Sequence, residues 1–176
     1  MQKGAVIWIT GLAGSGKSEL TNGLLKKLET TYSRVILLDG DEINGTLWVT
    51  GRSRDERLQG GLKISRLCAF LAKKDMIVLC ATINLFSEVY KQNRELIENY
   101  FEVLVDVPLD ELIKRDKNKM YSLCLAGKIK NVVGIDISYD KPNPHFIIDN
   151  KKQNELDLKV EKLYLEAIKF LQKIKH

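Results

Sequence analysis

Cysteine is scarce in this chain, and the three present, Cys68, Cys80 and Cys124, lie far apart without paired spacing. That argues against a disulfide framework or a zinc site and leaves reduced thiols as the plain reading. Histidine is scarcer still: His145 and His176 have no metal-ligand spacing. No apolar run approaches the length that spans a bilayer, and the N-terminal MQKGAVIWITG is too short for a signal segment. A cytoplasmic protein with no membrane partner is therefore expected. No dense Lys/Arg block occurs. The net charge of +5, from 28 Lys+Arg against 23 Asp+Glu, suits a small anionic ligand and gives no reason to expect nucleic acid. With no repeat, low-complexity tract or linker, residues 1–176 read as one domain around a single core.

What the chain does have is a β-α rhythm. Apolar runs of strand length at 5–10, 34–38, 76–81, 101–107 and 146–148 alternate with helix-like segments at 18–28, 55–74, 87–99, 109–114 and 156–174. The strand runs are apolar throughout rather than alternating, which predicts a mostly parallel five-stranded sheet covered on both faces. The class expected is α/β, a doubly wound sheet flanked by helices. Residues 116–144 interrupt the rhythm with Lys, Gly, Asn and Pro, and are the candidate for a mobile lid.

The run GLAGSGKS, residues 11–18, stands where the first strand hands over to the first helix. It matches G-x-x-x-x-G-K-[ST] in the strand–loop–helix context that pattern needs. Gly14 and Gly16 allow a tight turn with no side chain in the way. Successive N–H groups, with the helix N-terminus behind them, can then face the oxygens of a nucleotide triphosphate. Gly11, Ala13, Gly14, Ser15, Gly16, Lys17 and Ser18 are the ATP-binding candidates. Lys17 would balance charge on the β/γ-phosphates, and Ser18 would join the shell of a Mg²⁺ ion.

A second cluster, Leu38-Asp39-Gly40-Asp41, follows the second strand, at the end of the sheet where α/β proteins bind ligands. Asp39 could hold Mg²⁺ through water, orient an attacking hydroxyl, or both; an Asp helix cap is the plain alternative. Asn118-Lys119-Met120-Tyr121 begins like a guanine-reading N-K-x-D box, but Tyr121 stands where that box needs Asp, so a switch GTPase is set aside.

These residues, with VDVPLDELIKRD and MYSLCLAGKIKNVVGIDISYDKPNPHFIID in the same order, resemble the adenylylsulfate (APS) kinase family over most of the chain. The resemblance implies a P-loop kinase that passes the γ-phosphoryl of ATP to the 3′-hydroxyl of a nucleotide, with residues 116–144 as a lid. It implies Lys17 and Ser18 at the ATP phosphates and Mg²⁺, Asp39 at the acceptor hydroxyl and Arg115 near the adenine.

Departures from the family pattern fall on the acceptor side. Asn44 follows Asp41 where the family has an arginine for the phosphosulfate. Arg52 and Val132 replace two phenylalanines expected to clamp the adenine of APS, while Arg57 is kept. Stacking on an aromatic is worth ~1–3 kcal/mol per base, so a purine clamp is weakened. This chain looks most like a divergent branch that phosphorylates cytidine diphosphoramidate (CDP-NH₂) for capsule biosynthesis. Asp41, Asn44, Arg52, Arg57, Lys128, Lys130 and Val132 are the acceptor-side candidates, and Trp48 could supply a replacement aromatic wall. An APS kinase with an altered pocket and a non-catalytic nucleotide-binding regulator remain as alternatives. A small-molecule nucleotide is the expected partner; pairing as a homodimer stays open.

Overall fold

The computed structural model describes residues 2–46 and 52–174, with side chains given except at 44–46. The Asn44 side chain, Trp48 and His176 lie outside the described residues. Five strands form one parallel sheet: β1 (Ala5–Thr10), β2 (Val35–Asp39), β3 (Ile77–Thr82), β4 (Tyr100–Asp106) and β5 (Phe146–Asp149). Their order across the sheet is β2-β3-β1-β4-β5, with β1 central and paired in parallel to β3 and β4. The chain thus winds outward in both directions from β1, and the loop after β1 opens at the crevice between the two halves.

Every residue of β1 and β3 is buried, which is why both read as unbroken apolar runs. Successive side chains of β1 serve different cores. Val6 and Trp8 face α3 (Arg54–Ala72) and α4 (Ser87–Leu96), where Ile64, Cys68 and Val89 pack. Ala5, Ile7 and Ile9 face α1 (Lys17–Leu28) and α7 (Leu156–Lys173), where Leu20, Leu24, Val160, Leu163 and Leu171 pack. Each Val, Leu or Ile side chain so enclosed contributes about 1.5–3 kcal/mol. The three cysteines are free thiols and buried. Among the described residues no helix is long and apolar enough to cross a membrane.

Three local differences from the sequence reading bear on the site. The second strand runs through Asp39, so that carboxylate sits on the strand end itself, and α2 (Gly40–Thr46) follows at once. The helix expected over 55–74 starts one residue earlier behind a capping box, in which Ser53 and Glu56 each bond the other's backbone N–H. The irregular segment at 116–144 contains α6 (Met120–Leu125), which follows α5 (Leu109–Arg115) after a 3-10 turn. Asp116 Oδ1 starts α6 by accepting the N–H groups of Tyr121 and Ser122 at 2.9 and 3.1 Å. Asp136 closes the turn beyond by accepting those of Asn131 and Val132 at 2.7 and 2.6 Å. Tyr121, Val132, Val133 and Ile137 are buried in the α3/α4-side core, so the segment packs down onto the sheet. Asn118 and Lys119 both lie in the left-handed region within this turn, away from any strand end where a guanine-reading loop would sit.

Candidate active site

The loop from Gly11 to Ser18 is built so that its carbonyls face outward. Leu12 O accepts the Lys17 ammonium at 2.9 Å. Ala13 O accepts the Tyr121 hydroxyl at 2.8 Å, and Gly14 O accepts Arg115 Nη1 at 3.5 Å. Ser15 O accepts Asn150 Nδ2 at 2.7 Å. Four consecutive carbonyls are thus held, that of Leu12 by the loop's own Lys17 and those of Ala13, Gly14 and Ser15 from outside the loop. In a trans peptide the C=O and the following N–H point in opposite directions, so this turns the N–H groups of Ala13, Gly14 and Gly16 toward the concavity. Gly14 and Gly16 take φ of 75° and 93° to allow it, a region costing other residues roughly 1–2 kcal/mol. Helix α1 starts at Lys17 with no side-chain cap, which leaves its first N–H groups for an anion.

Two further features fit a phosphate. Ser15 Oγ is buried without a hydrogen-bond partner, although the carbonyls of residues 12–15 around it are all bonded. Lys17 is only 8 % exposed, and burial pulls its ammonium down from the ordinary 10.5 to about 8, opposed by Asp41 and Asp39 and assisted by Lys117. A buried cation folded back on a carbonyl of its own loop is under-compensated; a polyanion in the concavity would restore its partner.

At the neighbouring strand end Ser18 Oγ donates to Asp39 Oδ2 at 3.0 Å, and Asp39 Oδ1 accepts the N–H of Asp41 at 2.9 Å. The Asx-type bond fixes the carboxylate rotamer, and Ser18 presents a hydroxyl beside it. Hydroxyl and carboxylate oxygens on one side of a phosphate cradle are the hard donor set that suits Mg²⁺, which keeps several waters of its own. The sequence candidates Gly11 to Ser18, Asp39, Asp41 and Arg115 therefore meet at one end of the sheet.

The acceptor-side candidates are dispersed. Arg57 Nε donates to Arg52 O and Arg57 Nη2 to Asn131 O, both at 2.9 Å, so Arg57 ties the start of α3 to the irregular segment at 116–144. Burial lowers its pKa, helped by Arg52, while Asp41 and Asp136 oppose the shift, which puts Arg57 within electrostatic range of the Asp39–Asp41 cluster. Arg52, Lys128 and Lys130 are exposed. Val132 is 3 % exposed and belongs to the core, so it presents no open face for a base in this arrangement.

Asn150, Lys159 and Tyr121 carry contacts that sequence reading did not assign. Asn150 follows the last strand, and the rule that ligands gather at carboxyl strand ends would have flagged it. Lys159 interrupts the apolar stripe of α7, four residues before Leu163. Tyr121 belongs to the segment resembling the family's lid, but nothing local says its hydroxyl reaches Ala13.

A parallel sheet whose central strand ends in this cradle, with Ser18 and Asp39 hydrogen-bonded to each other beside it, defines a P-loop kinase. Residues 3–149 match the family model described as adenylylsulphate kinase, and the chain belongs to that family. It is 40% identical over 156 residues to the cytidine diphosphoramidate kinase of Campylobacter jejuni, covering 89% of this chain and 92% of that one. It is 38% identical over 172 residues to the adenylyl-sulfate kinase of Pseudomonas aeruginosa, covering 94% and 87%. It superimposes with a TM-score of 0.84 and 30% identity on the Mycobacterium tuberculosis APS kinase CysC solved with AMPPNP and APS, over 98% and 99% of the two chains.

Proposed function

We propose that this chain transfers the γ-phosphoryl group of ATP to the ribose 3′-hydroxyl of cytidine diphosphoramidate, in the cytoplasm and on the way to capsular polysaccharide. The observation that carries the choice of acceptor is the 40% identity to the Campylobacter enzyme of that name over nearly all of both chains. The purine-clamp aromatics of the family are replaced by Arg52 and Val132, which supports a smaller base.

The chain's own groups divide the work. The N–H groups of the loop and the start of α1 bind and align the triphosphate. Lys17 leaves Leu12 O for the phosphate oxygens, where its charge offsets the negative charge that develops in transfer. Asp39 aligns the acceptor hydroxyl and takes its proton late in the reaction. Ser18, with Asp39 through water, would hold Mg²⁺, which would supply positive charge against the negative charge of the triphosphate. Arg115 braces the loop near the adenine side. The lid, tied to α3 by Arg57, excludes water that would otherwise take the phosphoryl group. Arg52, Arg57, Lys128, Lys130, Asp41, Asn44 and Val132 stay the acceptor-side candidates.

A second reading, transfer to APS, is favoured by the 38% identity to the Pseudomonas adenylyl-sulfate kinase. A coupled ADP-release assay on purified protein, with each acceptor at equal concentration, decides between them. The expected result is a higher kcat/KM for cytidine diphosphoramidate; a preference for APS would reverse the ranking, and turnover of neither would leave a nucleotide-binding protein without this activity. Light scattering on the same sample reads whether the chain is a monomer or a homodimer.

A further inference from the structure

We infer that Asn150 and Lys159 are positioning residues for the triphosphate cradle, acting from behind it through the Ser15 carbonyl. The inference rests on the kinase reading above.

Lysine is almost never fully buried unless paired, yet Lys159 on α7 is 6 % exposed. Its nearest carboxylate, Glu155, is 4.0 Å away. The ammonium donates instead to Asn150 Oδ1 at 2.9 Å and to the carbonyl of Lys152. An ammonium only donates and a carbonyl only accepts. The Asn150 amide lies between one of each, so its orientation follows from chemistry: oxygen toward Lys159, NH₂ toward Ser15 O at 2.7 Å. The backbone of Asn150 is held as firmly. Its N–H donates to Asp106 O at 2.9 Å, and its carbonyl accepts Arg115 Nη2 at 2.8 Å. All four polar groups of this residue are therefore engaged, and three of the partners come from β4, α5 and α7.

The load falls on one peptide. Holding Ser15 O outward turns the Gly16 N–H inward, at the point where the cradle meets α1. Gly16 has no side chain for a geometric reason as well as a conformational one. A Cβ there would stand 2.4 Å from Asn150 Nδ2, closer than such atoms approach. The buried charge of Lys159 sits behind the same peptide, with the sign that favours a polyanion in front of it.

The test uses full-length protein and two probes, AMPPNP with Mg²⁺ and inorganic tripolyphosphate, measured by calorimetry beside steady-state kinetics. Asn150→Leu is near-isosteric and neutral but cannot donate to Ser15 O. Asn150→Asp keeps, and charges, the contact with Lys159 but likewise cannot donate. Both should raise Kd for both probes roughly fivefold to tenfold. KM for ATP should rise with them, while kcat and KM for the acceptor stay within about twofold. A merely structural role predicts the opposite for Asn150→Asp: a new ion pair with Lys159, an unchanged or higher Tm, and normal affinity. Lys159→Met should show a smaller loss in the same direction, because it frees the amide to rotate. Wild-type affinity in both Asn150 variants overturns the inference and leaves the kinase reading standing. Failure of the wild-type protein itself to bind AMPPNP overturns both.

Discussion

Lys17→Met should make the unliganded protein more stable while destroying its grip on ATP. Burial lowers the Lys17 pKa from 10.5 to about 8, and each unit corresponds to about 1.4 kcal/mol. The sign follows from linkage. At pH 7 both folded and unfolded chains carry the proton, and the folded one holds it at a disadvantage of about 3 kcal/mol. Methionine keeps the apolar stem and removes that disadvantage. It also removes the bond to Leu12 O, worth ~1 kcal/mol, though Leu12 O still accepts the Ser15 N–H at 3.2 Å. A net gain of roughly 2 kcal/mol remains, or about 4–8 °C in Tm for a chain of this size. The gain should hold below about pH 8, decline as the pH rises toward 10.5, and vanish above it, where lysine is neutral in both states. Differential scanning calorimetry at pH 7 and urea titrations at several pH values measure it. AMPPNP affinity of the wild-type protein should fall with rising pH above about 8, as free Lys17 loses its charge. A Lys17→Met protein that melts at or below the wild-type temperature at pH 7 would refute the argument that this cation is under-compensated without ligand.

Asp39→Asn should lower kcat by about 10²–10⁴-fold, the usual range for a positioned base, with AMPPNP affinity within a few-fold of wild type; unchanged kcat would remove Asp39 from the chemistry. Gly16→Ala should weaken AMPPNP binding at least tenfold and lower Tm, since the methyl meets Asn150 at 2.4 Å and left-handed alanine adds ~1–2 kcal/mol; a neutral outcome would mean the loop relaxes freely. Val132→Phe should cost about 1–3 kcal/mol through overpacking, because Val132 is 3 % exposed. Combined with Asn44→Arg, it should shift the acceptor ratio toward APS, and a ratio identical to wild type would place neither position at the acceptor.

Local order determined the parts that the sequence by itself made plain. The three inner strands β1, β3 and β4 were legible because parallel strands buried on both faces leave a continuous apolar signature. The cradle was legible because Gly14, Gly16, Lys17 and Ser18 act within a few bonds of one another. Only the tertiary structure decided what holds that cradle open. Arg115, Tyr121 and Asn150 reach its carbonyls from 101, 108 and 135 residues away. Their side chains are ordinary in composition and gain meaning only when β4, β5 and α6 are laid beside β1. Lys159 is the sharpest case: in sequence it breaks an apolar stripe, and in space it sets the amide that sets the loop. A glycine-rich turn can be recognised from its own residues because its backbone freedom is intrinsic. The groups that take that freedom away are supplied by the rest of the fold.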